Sequence, residues 1–449
     1  MKYNIRKVAV LGSGVMGSGI ACHLANAGLE VVMLDIVPFD LSDEQKQDPA
    51  ARNSIVNTSL KNALKAKPAA LYKKSFAKRI TTGNFDDDFK LINDADWIIE
   101  VVIEKLDIKQ NIFARVESEM KEGALVTSNT SSIPIHLLVE GRSDSFKKNF
   151  CGTHFFNPPR YMKLLEIIPH DSTDQEVVSF FMNYGDRFLG KQTVLCKDTP
   201  AFIANRIGVM SGSKVYQLTD KYDFRIEEVD ALTGPLIGRP KTATFRLQDL
   251  VGIDTSDKVS KFVSSAVKGD EYFDGIDADV LPKWLQFLLD NRFYGNKSKQ
   301  GFYKKELDAS GKKIYKALDL KTLEYKESIK QKLPSVGDTR KIERMDKRLQ
   351  TLVAHDSKGG KFLNEYFGYL FSYASNRVPE ISDHIYSVDE AMRTGYAWDY
   401  GPFEYWDLIG LKNGIDLIES NNASCADWVT EMVAAGHDSF YRIKDGLKQ

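Results

Sequence analysis

Six residues, Gly12-Ser13-Gly14-Val15-Met16-Gly17, constrain what this chain can fold into more than any other stretch. They follow a short apolar strand, Lys7-Val8-Ala9-Val10-Leu11, and open a helical run through Ile20, Leu24 and Ala27 that stops at Gly28. Val31-Val32-Met33-Leu34 reads as a second strand, so the whole is one βαβ unit. Each glycine has its own reason to be there. Gly12 permits the tight turn, Gly14 lets backbone approach a pyrophosphate, and Gly17 allows close packing of helix on strand. The helix N-terminus then offers unpaired N–H groups and the positive end of its dipole to an anion. Asp35 ends the second strand. A carboxylate there accepts hydrogen bonds from a ribose diol and repels a 2′-phosphate, which selects NAD over NADP. The loop by itself would also suit FAD.

Beyond this unit the chain alternates. A polar, mostly helical excursion from Pro38 to about Arg79 precedes strands at 97–102, 125–128 and 150–152, with helical segments such as 108–120 between them. That alternation predicts a parallel sheet. After 193–196 the character changes, and 200–207 begins a helical region that continues to about Val267. Residues 304–350 interleave Lys with Glu and read as a linker holding at most a hairpin and a solvated helix; 356–360 mark a further boundary. The domains expected are 1–190, a helical 191–305, a linker 306–350 and a second helical copy, 351–449. The second copy is read from a repeat. Val229-Asp230 precedes Asp249-Leu250-Val251-Gly252-Ile253, and Val388-Asp389 precedes Asp407-Leu408-Ile409-Gly410-Leu411. Each has a Gly/Pro-rich middle, and the offset is about 159 residues.

Composition excludes several classes. Lys+Arg 61 against Asp+Glu 62 leaves a net charge of −1, so no global field draws the chain to nucleic acid or a membrane surface. No apolar run approaches the ~18 residues of a membrane span. The four cysteines, Cys22, Cys151, Cys196 and Cys425, are too sparse for a disulfide scaffold and lack metal-site spacing, so no metal is expected. The first strand starts close to Met1 and leaves no room for a leader, which points to reducing cytosol.

The chemistry concentrates at Cys151-Gly152-Thr153-His154-Phe155-Phe156-Asn157-Pro158, with Glu166 twelve residues after His154. A histidine beside phenylalanines is more often a satisfied core residue. A returning carboxylate changes that: it fixes one ring nitrogen as N–H, stabilises the imidazolium, and leaves the other nitrogen to take a proton. A hydride acceptor and a paired base in one domain read as an alcohol dehydrogenase. Ser131 reads equally as a strand-end turn residue, and Asn205 as a helix residue satisfied by backbone. The run Lys61, Lys65, Lys67, Lys73, Lys74, Lys78 and Arg79 suits a phosphorylated substrate handle, with Ser59 and Lys65 as candidate contacts; a solvated helical face fits it as well.

Gly12 to Gly17, Asp35, Glu104, Asn129-Thr130-Ser131-Ser132, His154 to Pro158, Glu166, and Lys197-Asp198-Thr199-Pro200 through Asn205-Arg206 together resemble the L-3-hydroxyacyl-CoA dehydrogenases of fatty-acid β-oxidation over roughly residues 5–305. The resemblance implies a Rossmann-type NAD-binding α/β domain followed by duplicated all-α C-terminal domains. It implies oxidation of an (S)-3-hydroxyacyl-CoA to the 3-ketoacyl-CoA in the cleft between the dinucleotide domain and the first helical module. His154 would be the base and Glu166 its partner, with Ser131 and Asn205 on the substrate. Gly12, Gly14, Met16, Gly17, Asp35, Glu104, Lys109, Asn129, Asn157 and Lys297 would contact the cofactor.

The second helical copy resembles the long multifunctional β-oxidation proteins, which implies an enoyl-CoA hydratase domain or a thiolase as companion and makes this chain a fragment of such a protein. Residues 351–449 hold no glycine loop and no matching histidine–glutamate pair, so they are expected to be catalytically silent. They are expected to pack on the first copy through Phe367, Tyr369, Phe371, Trp398, Phe403 and Trp406, giving a monomer with an internal pseudo-dimer; a homodimer is the other option. One departure from the family pattern is Ala243-Thr244-Phe245 where Gly-Pro-Phe is usual, although Gly401-Pro402-Phe403 is kept in the second copy. The rival readings are another hydroxyacid dehydrogenase joining a Rossmann domain to a helical one, such as the 6-phosphogluconate type, and a binding protein that kept the fold without catalysis.

Overall fold

The strands nearest the glycine loop are almost wholly apolar because both faces of their sheet are covered. Val8, Ala9, Val10 and Leu11 are fully buried, as are Trp97, Ile98 and Ile99. Burying each large side chain is worth about 1.5–3 kcal/mol. In the computed structural model, which describes residues 3–270, 272–274, 280–308, 310–329, 332–444 and 447–448, the chain forms two compact units, Met1–Phe202 and Ile203–Gln449. Among the described residues no helix is long and apolar enough to cross a membrane.

The first unit is built on one eight-stranded sheet: β1 Lys7–Leu11, β2 Glu30–Asp35, β3 Ile80–Asn84, β4 Trp97–Glu100, β5 Leu125–Ser128, β6 Phe150–Phe155, β7 Leu164–Ile168 and β8 Gln192–Leu195. Their spatial order is β3-β2-β1-β4-β5-β6-β7-β8. The strands β1 to β6 are parallel, whereas β7 runs antiparallel to β6 and β8 runs parallel to β7. The order reverses between β1 and β4, which opens a crevice at the carboxyl ends of the strands.

Three expectations are corrected here. The sheet is not wholly parallel, because the short loop after β6 returns as a hairpin. The strand β3 was not anticipated; Ile-Thr-Thr-Gly-Asn at a sheet edge carries no apolar alternation. The first unit reaches Phe202, so Gln192–Leu195 belongs to the sheet and not to a helical domain beginning at 191.

The second unit repeats itself. The helices Ala204–Lys221, Ile226–Thr233, Phe245–Val251, Ile253–Ala266 and Lys283–Asp290 are answered in order by Lys358–Asn376, Ile385–Gly395, Pro402–Ile409, Leu411–Ser420 and Asp427–Ala434. The polar pins are duplicated too. Asp230 accepts from the Phe245 N–H at 2.7 Å and from the Tyr303 hydroxyl at 2.7 Å. Asp389 accepts from the Phe403 N–H at 2.9 Å and from the Tyr441 hydroxyl at 2.7 Å. Asp249 takes the N–H groups of Phe302 and Tyr303, and Asp407 those of Phe440 and Tyr441. Gly252 and Gly410 share left-handed φ values of 106° and 104° between paired helices, where a side chain would be strained.

The stretch 306–350 is not a linker. Tyr303–Leu307, Lys313–Leu318 and Tyr325–Glu327 form an antiparallel sheet, and helices Pro334–Thr339 and Met345–Val353 bury Ser335, Thr339, Leu349 and Leu352. Its charges misled because they pair across the open face, Glu306 with Lys304 and Lys316, while Tyr303, Ala317 and Leu318 face inward.

The two helical copies do meet, but only in part through the aromatic set expected. Phe371 stacks on Trp406 at 4.9 Å, and Phe403 packs with Trp428 and Phe440, all inside the second copy. Polar anchors join the copies. Arg239 lies over Trp398 at 3.6 Å, Ser211 meets the Tyr366 hydroxyl at 2.6 Å, and Glu365 takes Lys221 at 2.6 Å. Of the six residues expected, Trp398 and Tyr369, which faces Lys214, have ring contacts across this boundary.

Candidate active site

The glycine loop has the shape its spacing requires. Gly12 sits at φ 104°, and a Cβ there would lie 2.5 Å from the Val101 carbonyl oxygen. A Cβ on Gly17 would lie 1.9 Å from the Gly12 carbonyl oxygen, whereas one on Gly14 would meet only open space. The helix Val15–Asn26 that follows has no side-chain cap, so its first N–H groups face that space unspent. Met16 is half-buried against the core. At the end of β2, Asp35 accepts from the Ser13 N–H at 2.6 Å and the Ile36 N–H at 2.7 Å, which holds its carboxylate beside the loop. An open floor, an uncapped helix and a fixed carboxylate fit a dinucleotide.

Next along the edge is a charge cluster centred on Lys109. Its ammonium lies 2.7 Å from Glu100 Oε1 and 3.1 Å from Glu104 Oε2. Burial pulls this lysine's pKa down, but the two carboxylates outweigh it and hold it above the ordinary value. Burial pushes Glu104 up, and Lys109 with two hydroxyls holds it below the usual range. Glu104 Oε1 accepts from the Thr130 hydroxyl at 2.5 Å, the Ser131 N–H at 3.1 Å and the Ser132 hydroxyl at 2.8 Å. One carboxylate therefore organises the turn after β5 that carries Ser131. Glu100 was missed by sequence reasoning; the available signal was a lone charge closing an apolar strand.

His154 and Glu166 are direct cross-strand partners in the β6–β7 hairpin, and their side chains meet at 2.7 Å, Nδ1 to Oε2. This register is why twelve residues separate them. Glu166 is fully buried and His154 is 5% exposed. The ring is wedged by Phe156 at 4.4 Å and Phe202 at 5.9 Å. Asn129 accepts from the Phe155 N–H at 2.9 Å, tying the ends of β5 and β6 together. Asn157 follows on an exposed loop. Lys191, a second residue the sequence did not single out, sits behind that loop with its ammonium on the carbonyls of Pro159 and Met162. Burial pushes its pKa down to about 8. The carboxyl ends of β1, β5 and β6 thus gather the loop, Ser131 and His154 at one edge of one sheet.

Other candidates stand elsewhere. Ser59 and Lys65 lie on the helix Ser54–Lys65, half-buried and exposed respectively. Asn205 and Lys297 belong to the second unit. Asn205 is in the first turn of Ala204–Lys221, and Lys297 pairs with Asp254 at 2.5 Å.

Family models match in register with this division. The 3-hydroxyacyl-CoA dehydrogenase NAD binding domain matches residues 7–199, and the C-terminal domain of the same family matches 202–305. A probable 3-hydroxyacyl-CoA dehydrogenase of Bacillus subtilis is 44% identical over 452 residues, covering 99% of this chain and 56% of its own length. A putative fatty acid oxidation complex trifunctional enzyme of Rickettsia felis is 36% identical over 425 residues, 94% of this chain and 55% of that protein. The chain therefore spans about half the length of these relatives. The solved 3-hydroxybutyryl-CoA dehydrogenase of Escherichia coli shares the fold, with a TM-score of 0.67 at 21% identity, covering 96% of this chain and 99% of that one.

Proposed function

This chain belongs to the 3-hydroxyacyl-CoA dehydrogenase family, and we propose that it oxidises (S)-3-hydroxyacyl-CoA to 3-ketoacyl-CoA with NAD, His154 acting as general base. The observation that carries this is the buried 2.7 Å contact of His154 with Glu166 on the same sheet edge as the glycine loop. With Nδ1 donating to Glu166, Nε2 is left as an acceptor for the proton of the substrate's C3 hydroxyl. Glu166 then stabilises the imidazolium. Ser131 donates to the substrate oxygen, and Asn205 is the residue of the second unit assigned to substrate. NAD, when bound, supplies the acceptor for the hydride leaving C3. Gly12, Gly14, Met16 and Gly17 receive its pyrophosphate, and Asp35 receives its ribose diol. Glu104, Asn129 and Asn157 serve the nicotinamide end. Lys109 acts there by holding Glu104, because its ammonium is already spent on two carboxylates. Ser59 and Lys65 are assigned to substrate, and Lys297 to cofactor.

On this reading the chain works in cytosolic fatty-acid oxidation with an enoyl-CoA hydratase domain or a thiolase as companion; the Rickettsia relative is named a putative trifunctional enzyme of a fatty acid oxidation complex. The joint between its helical copies, built of ion pairs and of aromatic contacts such as Phe224 with Phe362, supports a monomer with an internal pseudo-dimer. The test is NADH formation with (S)-3-hydroxybutyryl-CoA beside 6-phosphogluconate. Turnover of the thioester alone is expected. Turnover of the sugar acid, or of neither, would overturn the reading.

A further inference from the structure

The loop 156–163 joins β6 to β7, and so joins the strand of His154 to the strand of Glu166. Its first residue, Phe156, packs on the imidazole at 4.4 Å. Lys191 reaches this loop from the β8 side of β7. It stands one residue before β8, whose register pairs Gln192 with Leu164 and Val194 with Glu166. The backbone there is fixed: the Lys191 N–H donates to the Gly185 carbonyl at 2.9 Å, and the Gln192 N–H to the Lys163 carbonyl at 2.8 Å. From that platform the ammonium, in a side chain 7% exposed, donates to the Pro159 carbonyl and, at 2.8 Å, to the Met162 carbonyl. Both carbonyls belong to a turn in which the Pro158 carbonyl accepts from the Tyr161 N–H at 2.9 Å and the Met162 N–H at 3.0 Å. The same ammonium lies 5.6 Å from the ring centroid of Phe155, the residue after His154, within cation–π range. Among the described residues no carboxylate pairs with it, so the loop's carbonyls and this ring hold the charge. Enclosing an ammonium costs more than enclosing an apolar side chain of similar length. What the charge adds is a grip on two points of one loop.

We propose that Lys191 is a positioning residue for the reaction: it fixes the loop between the base and its carboxylate, and through that loop the aim of the His154 ring. Without the ammonium, Pro159 and Met162 lose their tie to the β8 side. Phe156 then braces the imidazole less firmly, and Nε2 shifts from the line of the C3 hydroxyl. Such shifts are costly, because misplacing a reacting group by about 1 Å lowers a rate roughly 10²-fold. The inference rests on the reading of His154 as the base.

The experiment compares Lys191→Met with Lys191→Arg in the full chain, using (S)-3-hydroxybutyryl-CoA and assaying each variant well below its melting temperature. Lys191→Met should lower kcat roughly 10- to 100-fold. KM for the thioester should stay unchanged, because Ser59, Lys65, Ser131 and Asn205 lie outside the loop. Lys191→Arg keeps a permanent charge and several N–H donors and should recover most of the rate. In a His154→Gln background, Lys191→Met should have no further effect on the residual turnover. If Lys191→Met does not fold, Lys191→Gln replaces it; its side chain is one atom shorter and cannot span both carbonyls, so the same loss is expected. An unchanged kcat in the folded variant, while His154→Gln is impaired, overturns this inference alone. So does a raised KM for NAD at full kcat, because Lys191 would then serve Asn157 and not the base. Equal losses in both backgrounds, or a Lys191→Arg variant no faster than Lys191→Met, overturn it too. A full rate for His154→Gln removes the base from the proposed mechanism and the inference with it.

Discussion

Replacing Lys109 by Met should unfold the first unit early, although no sequence pattern marks Lys109 as structural. Its separations of 2.7 Å from Glu100 and 3.1 Å from Glu104 correspond to attractions of roughly 5–6 kcal/mol each at an effective dielectric near 20. Desolvation of the ions consumes most of that gain, so the cluster's net contribution is small. Removing the cation alone is different. Glu100 is fully enclosed, and its carboxylate would be left without a counter-charge. Glu104 keeps 33% of its side chain exposed and is better screened, so the Glu100 pair carries most of the loss. The cost of such an orphaned buried charge is about 3–5 kcal/mol, which for a unit of this size lowers the melting temperature by roughly 10 °C. Scanning calorimetry of Lys109→Met against Lys105→Met, an exposed neighbour with the same charge change, isolates the effect. Turnover should fall as well, because Glu104 holds the turn that carries Ser131. If the two variants melt within about a degree of each other, the cluster is not the support described.

Asp35→Ser should shrink the preference for NAD over NADP, and equal kcat/KM for both cofactors in the unaltered chain would refute the assignment of Asp35. His23 is held neutral, its pKa pushed down to about 3 by burial and by nearby Lys191. Stability from it is present above about pH 6.5 and is lost as pH falls toward 3, at most about 5 kcal/mol over that window. Urea unfolding of His23→Leu should show a flatter acid limb, and an unchanged slope would discount the residue. Deleting residues 351–449 strips Tyr373 and Glu380 from Arg206 and Glu365 from Lys214. Sedimentation should then find dimers or aggregates; a soluble monomer with unchanged melting temperature would contradict the internal pseudo-dimer.

What could be read in the sequence was what depends on short-range pattern. The turn from β1 into its helix needs glycine at 12 and 17, and a ligand's approach needs it at 14; those positions are visible without a structure. His154 and Glu166 were visible because a hairpin makes cross-strand partners near neighbours in the chain. The strand β3 was hidden because an edge strand of Ile-Thr-Thr-Gly-Asn obtains its order from hydrogen bonds to β2 and not from apolar periodicity. The sheet within 303–327 was hidden for a related reason, since paired lysines and glutamates on an open face look like solvated chain. Glu100 and Lys191 owe their roles to partners distant in sequence or to enclosure, and no spacing rule reports either. The repeat was legible as a pattern, but the pairs that join its copies, such as Glu365 with Lys221 and Phe362 with Phe224, were not.

The central claim is that His154 takes the proton. The most direct measurement is steady-state NADH production from (S)-3-hydroxybutyryl-CoA by His154→Gln, with NAD affinity and melting temperature recorded on the same protein. A fall in kcat of ~10²–10⁴-fold is expected, the span for removing a placed general base, while cofactor affinity and stability stay as they were. A rate within a few-fold of the unaltered chain would contradict the account.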